Sequence, residues 1–306
     1  MFPALLSAIL FSFSGVCGHR AAKSIGGTEA NFWRLTFSAV FLTFFAYIWG
    51  VGMSSPSFPL FFLSGVVGIG IGDVAYFQAL PKLGSRLSLL LIECLSAPVA
   101  AAIEWVWLGT TLTSTQMLFG IVVLLGVAVA LVPSERGLSS RNELFFGSAL
   151  CVLSALSGGY GVVLSRKAFA IDAAAGFSLS AGNASFQRVL GGLLVGGFCL
   201  LFVKRREFRV QARAPRHLVT EVAKRKWKAV WYWVLLNSLA GQTLGVSSMQ
   251  WALKTTPGGI VLAIIALTPI LIIPLAVWIE GERPSRISLV GSLIAVGGVI
   301  GLALVK

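Results

Sequence analysis

The chain has 306 residues, of which 57% are hydrophobic and 11% charged, against about 25% charged in a typical soluble domain. A water-soluble fold of this size has too little interior to hide that much apolar surface, whereas a bilayer makes lipid the solvent. The apolar runs are continuous rather than short and alternating, which excludes an outer-membrane barrel, and the net charge of +13 lies largely in one basic stretch.

Windows of about twenty apolar residues predict ten transmembrane helices. They fall at 3–21, 31–50, 58–80, 87–108, 114–132, 144–165, 182–203, 229–250, 258–279 and 286–305. The first window has no basic leading region and no small-x-small cleavage site, so it is read as a retained helix and not as a signal peptide. "SGVC", ending at Cys17, matches a lipoprotein site only loosely. The second helix carries Arg34 early in its run. The third contains "GIGIGDVAYFQALPKLG", from Gly68 to Gly84. Its first glycines resemble a dinucleotide fingerprint, but Asp73 stands where the third glycine belongs and no strand precedes it. Gly68 and Gly72 are instead spaced as GxxxG, which lets helix backbones approach.

The fourth helix holds Glu93, Pro98 and Glu104, the last beside Trp105 and Trp107 as in an interfacial aromatic belt. A polar linker follows at 134–143. The seventh helix opens with Arg188 and leads into a basic loop at 204–228. Lys and Arg among aromatic residues are the normal cytoplasmic flank of a membrane helix, and no nucleic-acid-binding module is present there. The eighth helix has Asn237, Gln242 and Gln250, and the ninth has Pro269 and Pro274. Prolines in such helices free carbonyls that line cavities or act as hinges, or are simply tolerated kinks. The four cysteines read as small buried hydrophobes, and no His, Cys and carboxylate spacing suits a metal.

The chain repeats itself. "LFSFSGVCGHRAAKS" resembles "VLSALSGGYGVVLSRK", "FWRL" resembles "FQRV", "YFQALPKLG" resembles "MQWALKTTPG", and "VWLGTTLT" resembles "VWIEGERPS". The matches keep one order, so residues 1–133 and 144–306 are read as two five-helix units. An odd number of crossings forces opposite orientations, so the fold class is an all-α polytopic membrane protein with an inverted-topology repeat. Lys and Arg cluster in the odd-numbered connections, which places those loops in the cytoplasm and both termini outside.

Together these features resemble the drug/metabolite transporter superfamily, and more narrowly the EamA-type transporters. The residues that carry the resemblance are Arg34 and Arg188 early in helices two and seven, "YFQALPKLG" closing helix three, and "WIEGERPS" after helix nine. The family commonly ends helices four and nine with Gly-Glu. Gly281-Glu282 fits, but Gly109 is followed by Thr110, so the first half lacks its share of any gate those glutamates form. The resemblance implies alternating-access movement of small metabolites, often outward, through the cytoplasmic membrane.

The candidate cavity follows from depth. Asp73 lies about seven residues before the cytoplasmic end of helix three and Glu93 about six residues into helix four, which at ~1.5 Å per residue gives both a depth near 10 Å. An ionised side chain at the bilayer centre costs at least about 2.5–3.5 kcal/mol, so such residues face a cavity or a partner. Two carboxylates in one low-dielectric site do not both ionise easily, and one is expected to retain a proton, as proton coupling needs. Arg34 can instead neutralise the pair as a static salt bridge. Tyr76 and Gln78 are expected to share this cavity, and Asn237 and Gln242 to bond a solute or neighbouring helices. Arg188 is expected to bind Glu104 or a solute carboxylate.

The sequence therefore predicts a secondary transporter of small polar, amino-acid-like or other organic metabolites, with protons as a coupling ion. The alternative is a lipid-carrier flippase of the same architecture. No nucleotide-binding, Asp-rich diphosphate or His-based acyl-transfer motif supports an enzyme or a primary pump. No cofactor and no nucleic-acid partner is expected; membrane lipid surrounds the chain, and a homodimer is compatible with it.

Overall fold

The computed structural model describes residues 2–108, 113–130, 141–211, 216–256, 258–281 and 285–305. It is 91% helical, with no strand among the described residues, so each segment satisfies its backbone hydrogen bonds internally, as lipid requires. The helices are α1 (Phe2–Ile25), α2 (Gly27–Ile48), α3 (58–83), α4 (85–108), α5 (Ser114–Ala130), α6 (Arg141–Ala174), α7 (Ala181–Gln211), α8 (216–255), α9 (258–280) and α10 (Arg286–Leu304). Five stretches are long and apolar enough to cross a membrane: Phe2–Ile25, Phe58–Trp107, Arg141–Ala174, Ala181–Arg205 and Val261–Glu280.

The 50-residue stretch Phe58–Trp107 would be roughly 75 Å long as one straight helix, more than twice a hydrocarbon core of about 30 Å. Gly84 breaks it. Its φ of 77° and ψ of 169° are non-helical, and only glycine adopts that combination without strain. The chain turns back there, and Tyr76 of α3 and Leu89 of α4 pack in one cluster with Val16 and Ile272. In α9 the turns at residues 266–267 and 272 immediately precede the Thr268-Pro269 and Ile273-Pro274 starts, so the two prolines segment that helix. Pro98 lies inside α4 without ending it.

α2 packs along α7, α4 along α6, α1 against α8, and α5 along α10. The outer faces are apolar: Val106, Phe145, Phe198 and Trp278 are all at least 72% exposed. Apolar surface this extensive fits contact with lipid. Buried serines return their hydroxyls to the carbonyl one turn back, as Ser12 does to Ala8 at 2.7 Å and Ser96 to Ile92 at 2.6 Å.

The basic stretch 204–228 is not a loop throughout. α7 continues to Gln211 and α8 begins at Arg216, because Lys, Arg, Glu and Ala are good helix formers even where they are too polar for lipid. Lys204 in this extension pairs with Glu29 at the start of α2. The predicted linker at 134–143 and the Gly109-Thr110 and Glu282 positions lie largely or wholly outside the described residues.

Candidate functional site

A cavity of about 140 Å³ is lined by residues of α1, α2, α3, α4, α6, α7, α8 and α9. Of the eight residues singled out from the sequence, Arg34, Asp73, Tyr76, Glu93, Arg188 and Gln242 line it. Gly84 explains why the two carboxylates meet: the reversal lays α4 back along α3 and brings Glu93 level with Asp73. Tyr76 is three residues after Asp73 and shares its helix face.

Gln78 and Asn237 stand outside the lining. Gln78 is five residues beyond Asp73, which turns it away, and its amide donates to Thr28 Oγ1 at 2.5 Å. Asn237 is buried and accepts at Oδ1 from the Ser14 hydroxyl at 2.6 Å. It therefore orients Ser14, which does line the cavity. Ser14, Ser96, Ser154 and Met249 also line it and were not singled out, since single serines and methionines on apolar helices carry no sequence signal distinct from packing.

Arg34 is thoroughly engaged. It is 5% exposed, forms an ion pair with Asp73, donates to Asn31 Oδ1 at 3.0 Å and reaches Gln242 Oε1 at a long 3.4 Å. Its guanidinium carbon lies 4.9 Å from the centroid of the Phe77 ring, within cation–π range. Asp73 is thus the acid half of a buried pair. Glu93 lines the same cavity but makes no hydrogen bond or ion pair with any described residue. Arg188 is 3% exposed, and its Nε and Nη1 have no hydrogen-bond partner among the described residues.

Glu104 is not Arg188's partner. α6 runs past the predicted end of its span, so Arg166 lies on the helix and donates to Glu104 Oε1 at 2.8 Å. Lys167 stacks over Trp107 at 4.4 Å beside that pair. At the opposite end of α4, the Ser85 backbone N–H donates to Glu280 Oε2 at 3.4 Å, and His19 Nδ1 lies 3.7 Å from the same oxygen. Arg20 also donates to the Ile279 carbonyl there. The cavity thus lies between two sets of polar contacts that join early and late parts of the chain. Among the described residues, no three His, Cys, Asp or Glu side chains converge as a metal site would require.

The lining has an internal regularity. Gly68 and Gly241, Ile69 and Gln242, Asp73 and Val246, and Tyr76 and Met249 are separated by one constant interval in the sequence, and all eight line the cavity. The same interval relates the first residues of two π-helical turns, Gly65–Ile71 and Ser238–Gly245. Such turns are rare and gather at functional sites.

Comparison with known proteins gives a consistent result. The chain matches a solved crystal structure at TM-score 0.68 and 15% identity, over 99% of this chain and 96% of that one, which establishes likeness of fold. No curated protein matches it. The EamA-like transporter family matches residues 1–132 and 145–304. The chain therefore belongs to the EamA-like transporter family, of the drug/metabolite transporter superfamily, and is an integral multi-pass membrane protein.

Proposed function

We propose that this protein is a secondary transporter of small polar organic metabolites, working by alternating access and driven by protons. The observation that carries the reading is a cavity with four charged side chains, Arg34, Asp73, Glu93 and Arg188, lined by helices from both family-matched stretches. Such residues are expensive in a membrane unless they face a solute pathway or pair with one another. The two family matches, the shared interval between lining residues and the paired π-helical turns support ten spans arranged as two inverted five-helix halves. The halves are 1–133 and 144–306, joined by the 134–143 linker.

Within this reading the carboxylates divide the work. Asp73 is held by Arg34 and sets the cavity's shape, while Glu93, unpaired among the described residues, carries the coupling proton. Gln242 and the Ser14–Asn237 pair supply hydrogen bonds to the solute's neutral groups. Export from the cell is the proposed direction, and amino-acid-like metabolites are suitable solutes.

The test is metabolite profiling of overexpressing cells, paired with uptake into proteoliposomes under an imposed pH gradient. Accumulation of a water-soluble solute that collapses with the gradient is expected. Movement of a fluorescent lipid between leaflets, with no solute uptake, would instead establish a flippase.

A further inference from the structure

We infer that Arg188 is a docking point for an oxyanion of the solute, a carboxylate or a phosphate group, seated where the second half of the chain lacks an acid. The inference deepens the transporter reading and rests on its two-half architecture.

Two arginines on the cavity are unequal. Arg34 stands seven residues into α2 and Arg188 seven residues into α7, within "FWRL" and "FQRV". Both line the cavity. Arg34 has Asp73, Asn31 and Gln242 around it. Arg188 has no hydrogen bond to a described residue, although it is the more buried of the two. Its guanidinium cannot shed its charge by deprotonation.

The sequence explains the inequality. Aligning "GDVAYFQAL" at 72–80 with "GVSSMQWAL" at 245–253 matches their first glycines and their closing Ala-Leu. Val246 then falls at the place of Asp73, and both line the cavity. α7 packs against Val246–Thr255, as α2 packs against the helix that begins at Gly72. The second half has kept the arginine and lost its counter-ion. Glu93 does not substitute, because it lines the cavity without forming an ion pair to Arg188.

The head of Arg188 also has room. A Cβ on Gly68 would lie 3.2 Å from Arg188 Nη2, so glycine there keeps the space beside the guanidinium open. A planar guanidinium with free N–H groups in a low-dielectric cavity is suited to grip an oxyanion through two parallel hydrogen bonds. Asp73 pairs with Arg34, so whenever Glu93 holds its proton one positive charge of the cavity is left at Arg188 for a negatively charged group to match.

The test uses the purified full-length chain in detergent and follows its thermal unfolding midpoint. The probes are sodium acetate and sodium phosphate, with acetamide and sodium chloride at matched ionic strength as controls. A saturable rise with acetate, phosphate or both is expected; acetate alone identifies a carboxylate and phosphate alone a phosphoester. In Arg188→Gln the half-saturating concentration should rise about tenfold or more, the scale of losing hydrogen bonds from a charged donor. Val246→Asp, which restores the missing acid and keeps Arg188, should weaken the probe to the same extent. General salting effects on stability act alike on all three proteins. No saturable response to either anion in the wild type, or an unchanged half-saturating concentration in both variants, would overturn the inference. Solute flux that is indifferent to Arg188→Gln would also count against it, while leaving the transporter reading intact. Anion binding at Arg188 without flux of any solute would refute the transporter reading alone.

Discussion

Asp73 and Glu93 are two carboxylates on one cavity with different surroundings, and the difference assigns them different tests. Glu93 has no partner among the described residues, so Glu93→Gln removes a proton carrier and little else. Accumulation driven by a pH gradient should disappear, while downhill exchange of labelled solute continues in the same proteoliposomes. Full pH-driven accumulation in that variant would exclude Glu93 from coupling. Asp73→Asn instead strands the charge of Arg34. Breaking a buried pair by removing one partner destabilises by about 3–5 kcal/mol. The unfolding midpoint and every transport mode should fall together, and adding Arg34→Gln should recover part of the stability. A variant that keeps its wild-type midpoint would show that the pair is dispensable to the fold.

At the scale of the helix, the turn at Gly84 positions the site. Gly84→Ala should destabilise by about 1–3 kcal/mol, because its φ and ψ are strained for any residue with a Cβ. Steric room is not the difficulty, since the nearest atom to an added Cβ is Glu280 Oε2 at 3.8 Å. A denaturant titration in mixed micelles that gives the wild-type midpoint would contradict this. α3 and α6 meet through glycines: a Cβ on Gly161 would lie 3.0 Å from the Gly68 Cα. Gly161→Val should therefore force those helices apart at about 1–3 kcal/mol, read in the same titration.

These elements also show what the sequence made legible. Rise per residue is nearly constant, so counting along α3 and α4 brings Asp73 and Glu93 together, and both line one cavity with Arg34. Rotation about the helix axis is harder, because π-helical turns at Gly65–Ile71 and Ser238–Gly245 shift the phase of everything beyond them. Gln78 and Asn237, expected at the cavity, stand outside its lining, Gln78 because five residues along a helix from Asp73 carry it to another face. Glu104 was matched with Arg188 because α6 extends beyond its apolar window, which hid Arg166 among presumed loop residues. Apolar windows measure what lipid tolerates, and polar residues can continue a helix past that limit, as 204–211 and 216–228 do.

For the whole molecule, the proposed inverted architecture makes a topological prediction. In cells, a cysteine introduced as Pro215→Cys should resist an impermeant thiol reagent, and tags at both termini should be reachable from outside. Efficient labelling at position 215 would reverse the orientation and leave the repeat untouched. The polar contacts at the two ends of α4 make a second prediction. Glu104→Gln should speed labelling of a cavity cysteine, introduced as Ser154→Cys, by several-fold, because the Arg166 contact at that end is then weakened. An unchanged rate would mean that the pair does not restrict entry.

The contacts at those two ends use different residues. At one end Arg166, about a third exposed, pairs with Glu104 at 2.8 Å, and at the other Glu280 meets His19 and the Ser85 backbone N–H. The relative strength of two such clasps sets which face an empty carrier presents and how long each face persists. It cannot act as a motor. A clasp that opens more readily admits and releases passengers by the same route, so weakening it accelerates forward and reverse crossings equally at equilibrium. Net direction then belongs to the gradients across the membrane, and the same molecule would run as an importer or an exporter according to which side holds the greater chemical potential.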